Sequence, residues 1–299
     1  MKRKIMRLGP STLVVSLPHQ WGVQQGIKPG QELEVVEKEG SLVLQSNKQV
    51  RLAKEITITI TGENKDDIEV LLTHAYRQGF EKIRLKNMDK TIEEKTRRTV
   101  TTLLLGFETT TKEKDTWILE SIALPAEEKY EVLLKRSLWI IKETIQNSIE
   151  FARTEQKSNI TELRAEQDKY LLYCQRVLTL NSKRNTVIEW ELITFLRHIE
   201  HAAYYLYQEL ERNYAKDTAI ISLLEQLGAY YELYMNAYTN RDINAIHAIN
   251  KLKSAYQFGE CIKQLKKGKN TVIHAQIKEV FRMIQIGSSP IFRLILENA

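Results

Sequence analysis

Cysteine is nearly absent from the chain. Cys174 and Cys261 are the only two in 299 residues, and they stand far apart without the Cys-x-x-Cys spacing of redox or zinc motifs. A disulfide framework is therefore not expected, and both are read as buried free thiols in helices. Proline is scarce and unevenly placed, with Pro10, Pro18 and Pro29 near the start, Pro125 alone, and Pro290 near the end. Proline removes a backbone donor and breaks a helix, so its absence from residues 126–289 is what long uninterrupted helices require. No glycine-rich phosphate loop is present, and Gly62 and Gly79 read as turn glycines. No apolar run approaches the roughly 18–20 residues that a spanning helix needs, and no signal peptide is evident. The expectation is a cytoplasmic chain without membrane insertion. No Ser-His-Asp or Cys-His arrangement is suggested, so neither catalysis nor a cofactor is expected.

What is present is the balance of a globular protein, 42% hydrophobic and 27% charged, with length enough for two or three domains. The net charge is +6 and the pI about 9.0. That permits contact with nucleic acid or acidic lipid without requiring either. The distribution is more informative than the total. Residues 1–12 carry Lys2, Arg3, Lys4 and Arg7 and no acidic side chain, whereas the later helical segments mix Glu and Lys freely.

The first 45 residues read as a small β unit. Leu13 to Leu17 is a β-rich run closed by Pro18. His19 to Gln25 reads as one short helical turn, and Lys28-Pro29-Gly30 as a turn. Leu33, Val35, Leu42 and Leu44 alternate with polar residues around Glu39-Gly40, which predicts a hairpin. So few apolar side chains cannot enclose a core alone, so a second copy of the chain is expected. The basic first strand carries Lys2, Arg3, Lys4 and Arg7, and the loop after it carries Gly9, Ser11 and Thr12.

This order of features resembles the AbrB/SpoVT/MazE family of swapped-hairpin DNA-binding domains. The resemblance rests on Arg7, Gly9, Ser11, Thr12, Val14, Ser16, Leu17, Pro18, Trp21, Pro29, Gly30, Glu32, Leu33 and Gly40. It implies a homodimeric DNA-binding domain over residues 1–46, with Lys2, Arg3, Lys4 and Arg7 on phosphates. Ser11 and Thr12 would then bond to phosphate or base edges. The Ser-Leu-Pro-x-x-Trp variant is most similar to archaeal proteins in which this domain precedes a PhoU-like helical region.

Residues 47–124 read as a small α/β domain of order β-α-β-α-β-β. Its strands are predicted at Ile56 to Ile60, Lys82 to Leu85, Phe107 to Thr111 and Trp117 to Ile122. Its helices are predicted at Asp66 to Gly79 and Ile92 to Gly106, with Gly106 in the C-cap role. From residue 125 the period becomes helical, and six helices of an antiparallel bundle are predicted. One face carries Leu134, Leu138, Ile141, Ile145 and Ile149, and another carries Leu163, Tyr170, Cys174 and Val177. Thr186 with Glu189 reads as a capping box. Asp242 caps a fifth helix running to Gly268, and Asn270 caps a sixth. The tyrosines at Tyr204, Tyr205, Tyr207, Tyr230, Tyr231, Tyr234 and Tyr238 read as core and interhelical contacts.

Phe195 to Ala202 parallels Arg282 to Ser289, a faint internal repeat. Both stretches resemble the signature of PhoU proteins, whose bundle is two three-helix repeats and whose Glu and Asp, four residues apart, hold metal clusters. At the matching positions this chain has Arg197 and His201 in one stretch, and Ile284 and Ser288 in the other. Glu200 is one residue out of phase, about 100° around the helix from Ile199, and is expected to point beside the ligand surface. His198 and His201 alone offer too few ligands for zinc, so no metal cluster is expected. The whole implies a mainly α multidomain chain: a swapped-hairpin β domain, a small α/β domain and a six-helix PhoU-like bundle. The expected function is that of a DNA-binding transcriptional regulator of phosphate uptake, with the bundle sensing or relaying. An adaptor contacting phosphate-transport or signalling proteins without touching DNA is the alternative.

Overall fold

The computed structural model describes residues 2–38, 40–45, 53–180 and 186–297. The chain divides into two compact units, Met1–Ala53 and Lys54–Ala299. The boundary expected between residues 124 and 125 falls inside the second.

In the first unit, β1 (Ile5–Leu8) pairs antiparallel with β2 (Thr12–Val15), Arg7 opposite Leu13. Gly9 in the connecting turn has φ +78°, a left-handed conformation that glycine adopts without strain. Lys2, Arg3 and Lys4 precede the strand, so of the expected basic strand only Arg7 lies in β1 itself. The residues after Val15 leave the ladder for Pro18, which opens α1 (His19–Gln24). A second hairpin joins β3 (Glu34–Lys38) to β4 (Ser41–Gln45), with Val35 opposite Leu44. Glu39, expected at its turn, lies outside the described residues. Trp21, Ile27, Leu33, Val36 and Leu44 are half-buried, and no described residue of this unit is buried. Ile5, Leu8, Leu13, Val23, Val35 and Leu42 are each at least 55% exposed.

The second unit opens on a four-stranded sheet of order β5-β6-β8-β7. Its strands are β5 (Glu55–Thr59), β6 (Lys82–Lys86), β7 (Phe107–Glu113) and β8 (Thr116–Ser121). β5 and β6 are parallel, joined through α2 (Ile68–Arg77), and the other pairs are antiparallel. α3 (Lys90–Leu103) is capped by Asp89, which accepts from the Ile92 N–H. It ends at Leu103, three residues before the expected Gly106. That glycine serves the turn into β7 instead, at φ +79°, where a Cβ would meet the Ala123 carbonyl oxygen at 3.1 Å. Ile68, Leu72, Ile83, Leu85, Trp117 and Leu119 fill the core of this layer.

The helical region runs through α4 (Glu128–Thr154), α5 (Ile160–Leu180), α6 (Thr186–Asn213) and α7 (Thr218–Thr239). It continues through α8 (Ile243–Lys253), a π-helical segment (Ser254–Glu260) and α9 (Cys261–Lys266), and ends on α10 (Thr271–Leu296). The face read on α4 is buried throughout. On α5 the buried face is Gln167, Leu171, Cys174 and Leu178, while Leu163 and Tyr170 sit at its edge. Tyr170 turns its hydroxyl to Glu166 at 2.7 Å, which keeps its polar end out of the core. The capping box read on Thr186 and Glu189 borders residues 181–185, outside the described residues. Asp242 caps α8 by accepting from the Asn244 N–H.

Two helix ends differ from expectation. The fifth helix is broken by the π segment, whose wider turns let the Gln257 amide donate to the Phe281 carbonyl. Asn270 stands at the N-cap of α10, its carbonyl accepting from the His274 N–H, but its side chain makes no capping bond. It is left-handed (φ +49°), and its amide donates to the Ala215 carbonyl and Asp217 Oδ2, tying the helix start to the loop before α7. Pro290 lies inside α10.

Three of the tyrosines bond by their hydroxyls to backbone across the interior, where an unpaired hydroxyl would be costly, whereas Tyr205, read as a core contact, is exposed, since it lies on the solvent side of its helix. Tyr231 donates to the Leu138 carbonyl, Tyr230 to Ile249 and Tyr234 to Gly287. Gly287 also marks the closest approach of α10 to α6: a Cβ there would meet Phe195 Cβ at 3.1 Å and Ile199 Cδ1 at 3.2 Å. The two stretches of the internal repeat thus pack on each other.

Arg176 of α5 fastens the sheet layer to the helices. It is 1% exposed. Its Nη1 donates to the carbonyls of Tyr76 at 2.6 Å and Phe80 at 2.8 Å, and its guanidinium lies 4.8 Å from the Tyr76 and Phe107 ring centroids. A cation at the C-terminal end of α2 also meets the negative end of that helix dipole. Beside it, Gly79 ends α2 at φ +82° directly under Leu180.

Candidate nucleic-acid interface and a buried charge cluster

The expected DNA-contacting residues gather on the first hairpin and the segment before it. Lys2, Arg3, Lys4, Arg7, Ser11 and Thr12 are all exposed. Arg7 Nη2 donates to the Pro10 carbonyl at 2.6 Å, folding the side chain back over the turn that carries Ser11. Thr12 opens β2 opposite Leu8. The hairpin therefore presents Arg7, Ser11 and Thr12 around one turn, with three further cations on the chain leading into it. Such a surface can neutralise phosphates and hydrogen-bond to them.

A second group lies between α5 and α6, and sequence reasoning reaches only part of it. His198 is exposed, while His201 turns inward. His201 Nε2 stands 3.9 Å from both Asp168 Oδ1 and Glu200 Oε2, and 3.5 Å from Arg164 Nη2. Arg197 Nε is 3.4 Å from Asp168 Oδ1, and its Nη2 donates to Gln175 Oε1 at 3.4 Å. Arg164 stacks over Tyr204 and Tyr205, 4.4 and 5.3 Å from the ring centroids. Glu200 is fully buried, and neither of its carboxylate oxygens has a hydrogen-bond partner. The expectation that it points beside the group is corrected: α5 covers that side of α6, so the out-of-phase residue is enclosed.

Burial sets the protonation of this cluster. It pushes the Glu200 carboxyl up to about 8, against the pull of Arg164 and Arg197. Burial and the neighbouring Arg164 and Arg197, with a smaller effect from His198, hold His201 down to about 4. Asp168 is raised by burial, with Arg197 and Arg164 opposing. Burial thus disfavours the charged forms of both Glu200 and His201, beside the guanidinium groups of Arg164 and Arg197. Two fixed cations beside His201 do not suit a metal cluster, which needs anionic oxygens to balance its charge. Among the described residues no group of three or more His, Cys, Asp or Glu side chains is placed to hold a metal ion. Likewise no described helix is long and apolar enough to cross a membrane.

No protein-family model, no curated protein and no solved structure matches the chain.

Proposed function

We propose that the protein is a dimeric DNA-binding regulator, with the N-terminal unit contacting DNA and the helical region acting as its sensing or relay module. The observation that carries the reading is the N-terminal unit itself: it buries none of its described residues, leaves apolar strand residues uncovered, and gathers cations on its first hairpin and the segment leading into it. A second copy of the hairpins would cover those residues and double the basic surface, adding its own ion pairs to the DNA phosphates. The resemblance to swapped-hairpin DNA-binding domains supports the same arrangement, and the PhoU resemblance supports a role in phosphate homeostasis. Partners on this reading are DNA and a second copy of the chain.

Sedimentation velocity of the intact chain at micromolar concentration should return a dimer. A monomer whose N-terminal strands remain folded would contradict the pairing. The DNA surface is tested by replacing Arg3, Lys4 and Arg7 together with alanine. Each cation taken away from a DNA phosphate should flatten the slope of log affinity against log salt by about 0.9, and affinity at low salt should fall about tenfold or more. Unchanged affinity and slope would remove the hairpin as the DNA-facing surface and favour the adaptor.

A further inference from the structure

The α5–α6 cluster lies outside the residues proposed to contact DNA, and its polar groups are poorly served by one another. Arg197 Nε is buried without a hydrogen-bond partner, although Asp168 Oδ1 lies 3.4 Å away. A well-aligned charge-assisted bond is about 2.7–2.9 Å, so Asp168 pairs with the guanidinium by charge without a well-aligned hydrogen bond. Glu200 has no partner at either oxygen, and Gln167 Oε1 has none. Asp168 and His201 are about a third exposed, at 29% and 31% of their side chains, so the group opens to solvent above a buried floor.

We propose that this cluster binds a small, multiply charged oxyanion of the phosphate class, held by Arg164, Arg197 and His201, and that the Asp168 carboxylate competes with it for the guanidinium groups. The charges favour an anion. Arg164 and Arg197 lie beside Asp168 and a Glu200 whose charged form burial disfavours, and Arg77 at the end of α2 feels the positive charge of Arg197. His74 of α2 and His198 of α6 are the other titratable groups turned toward these cations. The donors fit too. Arg197 Nε makes no hydrogen bond and has only the offset Asp168 beside it, and a tetrahedral oxyanion offers acceptors in several directions, which one carboxylate cannot. The fixed fork of each arginine suits such a group better than it suits the offset Asp168.

The inference rests on reading the helical region as the sensing module, and its test is independent of DNA contact. Inorganic phosphate is titrated calorimetrically into the full chain carrying alanine at Lys2, Arg3, Lys4 and Arg7, which removes binding at the N-terminal cations. Saturable binding is expected, competed by sulfate. Asp168→Asn should tighten it about tenfold by removing the competitor, and Arg164→Gln should weaken it about tenfold. Arg164 is half-exposed, so that variant should keep its helical circular dichroism; Arg197→Lys is the second variant, expected to weaken binding likewise. Absence of saturable phosphate binding at millimolar concentration overturns the proposal, as does binding indifferent to both Asp168→Asn and Arg164→Gln. DNA binding by Arg164→Gln, measured separately, reports whether the N-terminal reading stands on its own.

Discussion

Arg176→Ala should destabilise the second unit by about 3–5 kcal/mol, the range for truncating a large buried side chain. The Phe80 carbonyl loses this donor, the Tyr76 carbonyl keeps the Gly79 N–H, and two aromatic rings lose the cation beside them. The vacated volume adds a cavity cost. Arg176→Met restores volume but not hydrogen bonds, and should recover only part of the loss. Arg176→Lys keeps the charge but cannot reproduce the planar fork. Chemical denaturation supplies the numbers. Trp117, buried in the sheet layer, reports that layer by fluorescence, while far-ultraviolet circular dichroism reports the helices. In Arg176→Ala the tryptophan transition should move ahead of the helical one. Coincident transitions at wild-type stability would show that Arg176 does not fasten the two layers.

Glu200→Gln should make the protein more stable above neutral pH and nearly unchanged near pH 5. The Glu200 carboxyl is raised by burial from its ordinary 4.5 to about 8, so the folded state holds a proton that the unfolded state releases. Its contribution is fully present below about pH 4.5 and is lost as pH rises through 8, by on the order of a few kcal/mol. Glutamine has the same shape and no charge to develop, so it abolishes that decline. His201 acts in the opposite direction. Held at about 4 by burial and its cationic neighbours, it favours the folded state at neutral pH and loses that contribution as pH falls from 6.5 toward 4. Wild-type stability should therefore peak between the two. Urea denaturation at pH 5.5 and 8.5 for both chains measures it, and parallel pH profiles would refute the burial of an unpaired Glu200.

Much of the helical architecture is legible in the sequence because its signals are local. The proline-free stretch forms the long helices, Asp242 caps α8, and the apolar faces of α4 and α7 are the buried ones. The order of strands and helices in the sheet layer is legible for the same reason, since alternation and turn residues carry it. Helix ends are less so. Asn270 looks like a cap in isolation but is claimed by Ala215 and Asp217, more than fifty residues away in sequence. The buried charges are largely hidden. A single helix viewed alone does not show what covers Glu200, which the sequence places beside the ligand surface, whereas α6 packs against α4, α5 and α10. Arg176 does carry one signal in the sequence: it is the only charged residue between Leu171 and Leu180. A lone cation in so apolar a run has to find buried acceptors, and it finds them at the end of α2.

The measurement bearing most directly on the account is fluorescence anisotropy of a labelled, mixed-sequence duplex DNA pool titrated with the intact wild-type chain at increasing salt. Binding at low salt that weakens linearly on a log–log scale, with a slope corresponding to several phosphates neutralised per dimer, is the expected result. No binding at low salt, or binding that salt does not weaken, would contradict a DNA-binding role for the N-terminal unit.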